Sequence, residues 1–368
     1  MPTSVVLVDA APRAALGSMS RYARLVESAV RQSNPDMHLE RMCLGLPVAL
    51  LRAFPGRLGP WVHHAWLWGM SRRRLQRIGS ATCHVLDGSY AYVARNVPSS
   101  QVLVTCHDLI PYLQLSGILE GRPGTLAKLV IRASVNTLRH AACIMAGSEN
   151  TRRDICSRLG VPPERVSGFC YALDPLFTRP EASVIPISAR KPWVLHIGNN
   201  AGYKNRLGVL RIFKQMNPEG AEELILVGPE PNAEFRRQIA VSPVAGRVRV
   251  CCNPDDATLG ALYDQARVLL FPSIYEGFGW PVVEAMAAGC PVVCSTAASL
   301  PEVAGNSALM AAFDDVAGLA ALCRRVMNDD VLAADLAKKG RFHAATFTLE
   351  KMGQQLCAAY ANMPKARP

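Results

Sequence analysis

No stretch of this chain holds the roughly 18–20 consecutive apolar residues that a helix needs to cross a bilayer, although half of its 368 residues are apolar. The 12 cysteines include no C-x-x-C pair. Cys251–Cys252 and Cys290/Cys294 also lack metal-site spacing. Buried thiols in a reducing compartment are therefore expected, not a disulfide framework. A Walker P-loop and a G-x-S-x-G elbow are both missing, which sets aside P-loop NTPases and serine hydrolases of the α/β class. The opening MPTSVVLVDA has neither a basic leader nor a cleavage site. It is expected to be a first strand in a cytoplasmic protein.

Acidic residues are absent between Glu40 and Asp87, an interval that holds seven arginines. The net charge of +11 is correspondingly uneven, with 22 Lys and Arg against 12 Asp and Glu over residues 1–190. Such a basic half suits nucleic acid, an anionic membrane surface or a phosphate-bearing acceptor. Within it, WVHHAWLWGMSRRRLQR (61–77) combines three tryptophans with four arginines. That composition fits attachment to the inner membrane face, with rings at headgroup level and cations on lipid phosphate. A core helix with a solvated basic end is the other reading.

Two domains fit into this length. Apolar β-rich runs recur at 4–9, 83–87, 101–106 and 142–148, then at 193–198, 223–228, 247–251, 266–273 and 291–295. Helical patterns such as SRYARLVESAVRQS and RLGVLRIFKQM lie between most of them. Strands alternating with helices predict an α/β chain of parallel sheets covered on both faces. Two such series predict Rossmann-like domains over 1–186 and 187–345, with a final helical run in 346–368.

The most informative segment is EGFGWPVVEAMAAGCPVVCSTAASLPEVAG (276–305). Glu276 is followed eight residues later by Glu284, with Gly277, Gly279 and Pro281 between them. Glycine permits close backbone approach to a ligand, and Pro281 suits the first position of a helix. Gly289 reads as the helix stop and PVVCS as the next buried strand. A helix start carries partial positive charge suited to phosphate. Glu284, expected in the first turn, would accept bonds from sugar hydroxyls. Such a site fits a nucleotide sugar.

The whole string resembles the E-x7-E signature of the retaining, nucleotide-sugar-dependent glycosyltransferases of family 4, which have the GT-B fold. The following P-V-V strand and the L-P-E-V-x-G turn (300–305) match as well. Other segments resemble the family in order: the glycine loop at Gly17 with its R-Y helix, TCHDLIPYL around His107, SENTRRD from Ser148, and HIGNNAGYKNR from His196. Ser18 and Asn199 depart from the family pattern, Asn199 where a basic residue is common. The resemblance implies two Rossmann-like domains facing a central cleft, with the last helix crossing back to the first domain. No D-x-D triplet is present, so a divalent ion on the diphosphate is not expected, and no cofactor either.

On this resemblance the donor, GDP-mannose in preference to UDP-sugars, would lie on the second domain. Glu284 would hold the ribose. Lys204, with Arg206, Gly198, Asn199 and the Gly277–Phe278–Gly279 backbone, would hold the diphosphate beside Val283, and Gly17 would approach it. Glu276 would orient the sugar, His107 would contact it, and catalysis would rest on His107, Glu276 and Lys204. The acceptor would be a saccharide or a polyprenyl-diphosphate-linked saccharide of a surface polysaccharide, and nucleic acid is not an expected partner. Two other readings are a nucleotide-sugar epimerase or hydrolase of the same fold, and a non-catalytic partner subunit.

Overall fold

The computed structural model describes residues 4–12, 18–54, 58–216 and 220–364. Its contacts divide the chain into two units, Met1–Ala172 with Thr348–Pro368, and Leu173–Phe347. The first contains β1 (Ser4–Asp9), β2 (His38–Cys43), β3 (Thr82–Val85), β4 (Val102–Cys106), β5 (Cys143–Ala146) and β6 (Val166–Gly168). These form a parallel sheet in the order β2-β1-β3-β4-β5-β6. The second contains β7 (Lys191–Ile197), β8 (Glu223–Gly228), β9 (Val248–Cys252), β10 (Ala266–Phe271), β11 (Val292–Ser295) and β12 (Leu309–Ala311). Their order, also parallel, is β12-β11-β10-β7-β8-β9. The central strands β3, β4 and β10 are buried throughout. Near-continuous apolar runs are what a strand covered on both faces requires.

The alternation read from the sequence omits β2, β6 and β12. Each lies at or beside a sheet edge, and two are only three residues long. HLERMC is polar and partly exposed, so it lacks the apolar run that marks a central strand. By contacts, the second unit runs from Leu173 to Phe347. Residues 173–190 belong to the second unit. There Arg179 pairs with Asp264, and the buried Arg190 guanidinium donates to the carbonyls of Ile185, Tyr263, Ala266 and Ala288. Helix Leu349–Ala361 packs in the first unit, where a Cβ at Gly353 would lie 2.2 Å from the Ala29 carbonyl.

Sheet burial leaves histidines without room for a proton. His84 bonds Tyr360 Oη and Thr105 Oγ1, and burial lowers its pKa to about 3; burial likewise lowers that of His196 to about 3. The unfolded chain protonates these rings near 6.5, so below that pH it binds more protons than the folded protein and stability falls. Each ring is expected to remove about 1.4 kcal/mol between neutral pH and pH 5.5. Urea unfolding at pH 7 and pH 5.5 measures the loss. A flat profile over that range would contradict the buried, neutral assignment.

Candidate functional site

In the second unit the strand order reverses between β7 and β10. Doubly wound sheets bind ligands outside the carboxyl ends of the strands at such a switch point. The residues that leave these two ends meet there. From β7, Gly198 enters a tight turn, where an added Cβ would lie 3.0 Å from His196 Nε2 and 3.2 Å from Lys204 Cβ. The chain continues through Gly202–Lys204 to Asn205, which adopts the left-handed conformation at φ +54°. Asn205 Nδ2 donates to the carbonyls of Pro272 and Phe313 at 2.9 and 3.2 Å. One side chain thus ties the β7 turn to the loops after β10 and β12, and the preceding residue is Lys204.

Lys204 Nζ lies 2.7 and 2.9 Å from the two oxygens of Glu276, a residue only 6 % exposed. Glu276 and the glycine loop are anchored in turn by buried Ser299. Its hydroxyl donates to the carbonyls of Glu276 and Phe278 at 3.0 and 2.8 Å. Gly279 precedes helix Trp280–Ala287 at φ +108°, where a Cβ would also approach Leu300 to 2.8 Å. Only glycine adopts that angle without strain. Gly289 ends the segment at φ +67°. The positive end of the helix dipole therefore faces the loop that carries Glu276.

The helix starts one residue earlier than the sequence reading placed it, at Trp280, so Glu284 falls at the beginning of its second turn. Glu284 is buried, and the hydroxyl of fully buried Tyr263 donates to its Oε2 at 2.8 Å. Two more polar atoms at these strand ends, His196 Nε2 and Ser273 Oγ, have no hydrogen-bond partner among the described residues. A leftover donor or acceptor of this kind marks a place where a ligand or water completes the bonding. The Lys204 ammonium, the Glu276 carboxylate and the helix start beside them are the groups that suit a ligand carrying both phosphate and hydroxyls.

The structure places the other expected residues less uniformly. Asn199 is exposed, and its Oδ1 caps the Ala201 N–H. Arg206 turns to Asn200 Oδ1 and the Pro229 carbonyl, over the Phe235 ring, and makes no hydrogen bond to the Lys204–Glu276 pair. Val283 is fully buried, so its side chain belongs to the core and only its backbone could meet a ligand. Phe278 packs edge-on against Trp280 and Phe347. Gly277 lies between Glu276 and Phe278 in the anchored loop. Gly17 falls outside the described residues.

His107 stands at the carboxyl end of β4 in the first unit. Both ring nitrogens are engaged, Nδ1 with Tyr171 Oη at 2.6 Å and Nε2 with the Leu86 carbonyl at 2.9 Å, and Tyr22 packs edge-on at 4.7 Å. Burial lowers its pKa. A carbonyl can only accept, so Nε2 carries the proton and Nδ1 accepts from Tyr171. A ring nitrogen is therefore available to a sugar only if one of these bonds opens. Ser148 caps its helix through the Thr151 N–H. Tyr263, Ser299 and Tyr171 were not singled out in the sequence. Each acts through a tertiary contact that has no signal in local spacing.

Comparison with known proteins is consistent with this geometry. Residues 191–329 match the family described as Glycosyl transferases group 1. The chain is 28 % identical over 300 residues to the O-antigen chain mannosyltransferase B of Escherichia coli, covering 78 % of this chain and 77 % of that one. Sucrose-phosphate synthase of Thermosynechococcus elongatus superposes with a TM-score of 0.75 at 20 % identity, over 98 % of both chains. HepE of Anabaena, in complex with UDP-glucose, superposes at 0.73 and 16 % identity, over 97 % of this chain and 99 % of that one.

Proposed function

We propose that this chain, a glycosyltransferase of GT-B fold whose residues 191–329 form a group 1 domain, transfers mannose with retention from GDP-mannose to a saccharide acceptor. The acceptor is carried on a polyprenyl diphosphate and belongs to the assembly of a surface polysaccharide. The observation that carries the reading is the pairing of Lys204 with the buried Glu276 at the β7/β10 switch point, with Glu284 on the helix that follows the Glu276 loop. Its likeness to an O-antigen mannosyltransferase over three quarters of both chains supports the choice of sugar and pathway class.

In this reading the ribose diol bonds Glu284 and the diphosphate lies over Gly198 and the Gly277–Gly279 loop. As the bond from the sugar C1 to phosphate breaks, its electron pair passes to the diphosphate oxygen. Lys204 and the helix start stabilise that growing charge, the kind of preorganised effect that usually dominates catalysis. The acceptor oxygen bonds C1 on the face that the diphosphate leaves. Its proton passes to a diphosphate oxygen, so no protein nucleophile is required. Glu276 orients the sugar hydroxyls, since a carboxylate accepts from two neighbours at once.

A panel of GDP- and UDP-sugars, assayed for donor consumption and for the anomeric configuration of the product, tests this. GDP-mannose should be consumed fastest and the product should be the α-anomer. An inverted product, or rapid hydrolysis with no transfer to any acceptor, would overturn it. With Lys204 in the role of the cation, full activity is expected in EDTA. Loss of activity that magnesium or manganese restores would show that a metal neutralises the leaving group instead.

The enzyme is further proposed to work at the inner face of the membrane. No helix among the described residues is long and apolar enough to cross one. Helix Leu58–Leu75 buries Gly59, His63, Leu67, Ser71 and Leu75 along one stripe, and Trp61, Trp66 and Trp68 remain 41–50 % exposed. Arg72, Arg73 and Arg74 follow, also exposed. Each cation near an anionic surface contributes about 1 kcal/mol, screened by salt. Co-sedimentation with anionic vesicles should be strong at low salt. It should weaken at least tenfold at high salt, or when Arg72, Arg73, Arg74 and Arg77 become glutamine. Attachment insensitive to lipid charge would leave this helix without a membrane role.

A further inference from the structure

The first unit holds a cavity of about 380 Å³ that the donor chemistry does not use. It lies between the turn Gly88–Ala94, helix Ile110–Leu115 and helix Thr125–His140. That volume is within the range of small-molecule sites. Its buried end is aliphatic: Leu109, Ile131, Val135 and Leu138 are all at most 9 % exposed. Its outer end is formed by exposed residues, among them Arg122 and Ala127. Lys128 and Arg132 are exposed on the same helix as Ala127.

The polar groups in the wall are largely occupied. Ser134 Oγ donates to the Ser89 carbonyl at 2.8 Å, His64 Nδ1 bonds Tyr92 Oη at 2.7 Å, and Gln114 Nε2 donates to the Glu120 carbonyl. Asp108 is the one acid among the described residues of the lining, and its Oδ1 accepts from the Ile110 N–H at 2.8 Å. A hydroxyl-rich sugar ring pushed into the aliphatic end would lose its water without gaining partners, which is unfavourable. A hydrocarbon would gain by the same move. A phosphate on that hydrocarbon would stay at the outer end, near Arg122.

We propose that this cavity binds the head-proximal part of an isoprenyl chain, with its phosphate or diphosphate held at Arg122. The occupant follows from the lipid-linked acceptor of the preceding reading; the geometry stands without it. His64, on the helix that exposes Trp61, Trp66 and Trp68, also lines the cavity. The helix that exposes these tryptophans thus also contributes to the wall of the cavity.

Binding to the full chain is measured by calorimetry with farnesyl phosphate, farnesol, inorganic phosphate and methyl α-mannopyranoside. Farnesyl phosphate should bind saturably, at least tenfold more tightly than any of the other three. Ala127→Trp, placed at an exposed helical position, should fill the outer end and weaken it at least tenfold; Val130→Phe does the same from the wall if the first variant folds poorly. Arg122→Gln should reduce the preference for farnesyl phosphate over farnesol to threefold or less. The thermal midpoint of each variant serves as the folding control, beside GDP affinity, which belongs to the second unit. Absence of GDP binding in the wild type would count against the donor assignment alone. Unchanged farnesyl phosphate binding in Ala127→Trp and Val130→Phe would overturn the proposal. So would methyl mannopyranoside binding that these variants abolish while farnesyl phosphate does not bind.

Discussion

Replacing Glu276 by alanine is expected to lower turnover about a hundredfold or more while donor affinity changes by only about threefold. The side chain is held in place before any donor arrives, by two bonds from Lys204 and, through its carbonyl, by Ser299. A group this fixed loses little freedom when the sugar passes through its charged, flattened transition state, so its bonds count most there. Lys204→Ala is expected to reduce turnover by two to three orders of magnitude, roughly the effect of removing one preorganised donor from a developing anion. It should also weaken donor binding, because the ammonium meets the diphosphate in ground and transition states alike.

Each single variant strands a charge, which complicates these comparisons. Lys204 and Glu276 have side chains 16 % and 8 % exposed, and breaking a buried pair by removing one partner costs about 3–5 kcal/mol when burial is complete. The double variant Lys204→Met/Glu276→Gln removes both charges and keeps the volume, so its stability should exceed that of either alanine variant. Turnover, donor affinity and thermal midpoint must therefore be measured together. Small, equal effects of Glu276→Ala on affinity and turnover, with an unchanged midpoint, would remove Glu276 from the chemistry.

The sequence was legible where local backbone demands are strict. Gly279 and Gly289 both adopt positive φ, and Pro281 occupies the first turn of the helix between them. Glycine and proline are the residues that such positions select. The central strands were legible because burial on both faces leaves only apolar side chains. The edge strands β2 and β12 were not, since half-solvated or very short strands lack that pattern. The exact helix start was also missed, which placed Glu284 in the first turn instead of the second.

Side-chain partnerships were the least legible. Nothing in EGFGWPVVE announces that Tyr263, 21 residues upstream in another helix, donates to Glu284. Spacing likewise gave no sign that Arg206 would turn to Asn200, or that the ring of His107 would be bound on both sides. Residue type and order point to a chemistry. Which atoms remain for a ligand is settled by contacts between elements distant in the chain.

Glu284→Ala, by contrast with Glu276→Ala, is expected to weaken nucleotide binding about ten- to a hundredfold, because hydrogen bonds to a charged group contribute about 1.5–3 kcal/mol. The ribose does not react, so its bonds are the same in ground and transition states. Turnover at saturating donor should then change little, and the loss should appear in kcat/KM. Tyr263→Phe removes the hydroxyl that fixes Oε2 without touching the ribose, so a smaller loss, about three- to tenfold, is expected from the poorer positioning of the carboxylate. The readout that separates this from general damage is ribose discrimination. Wild type should bind GDP more tightly than its 2′- and 3′-deoxy analogues. That preference should disappear in Glu284→Ala and narrow in Tyr263→Phe, while affinity for inorganic diphosphate stays the same in all three proteins. A Glu284→Ala variant that still distinguishes ribose from deoxyribose would show that the diol is read elsewhere. In that case the buried Tyr263–Glu284 bond would serve only to join the helices Asp256–Gln265 and Trp280–Ala287.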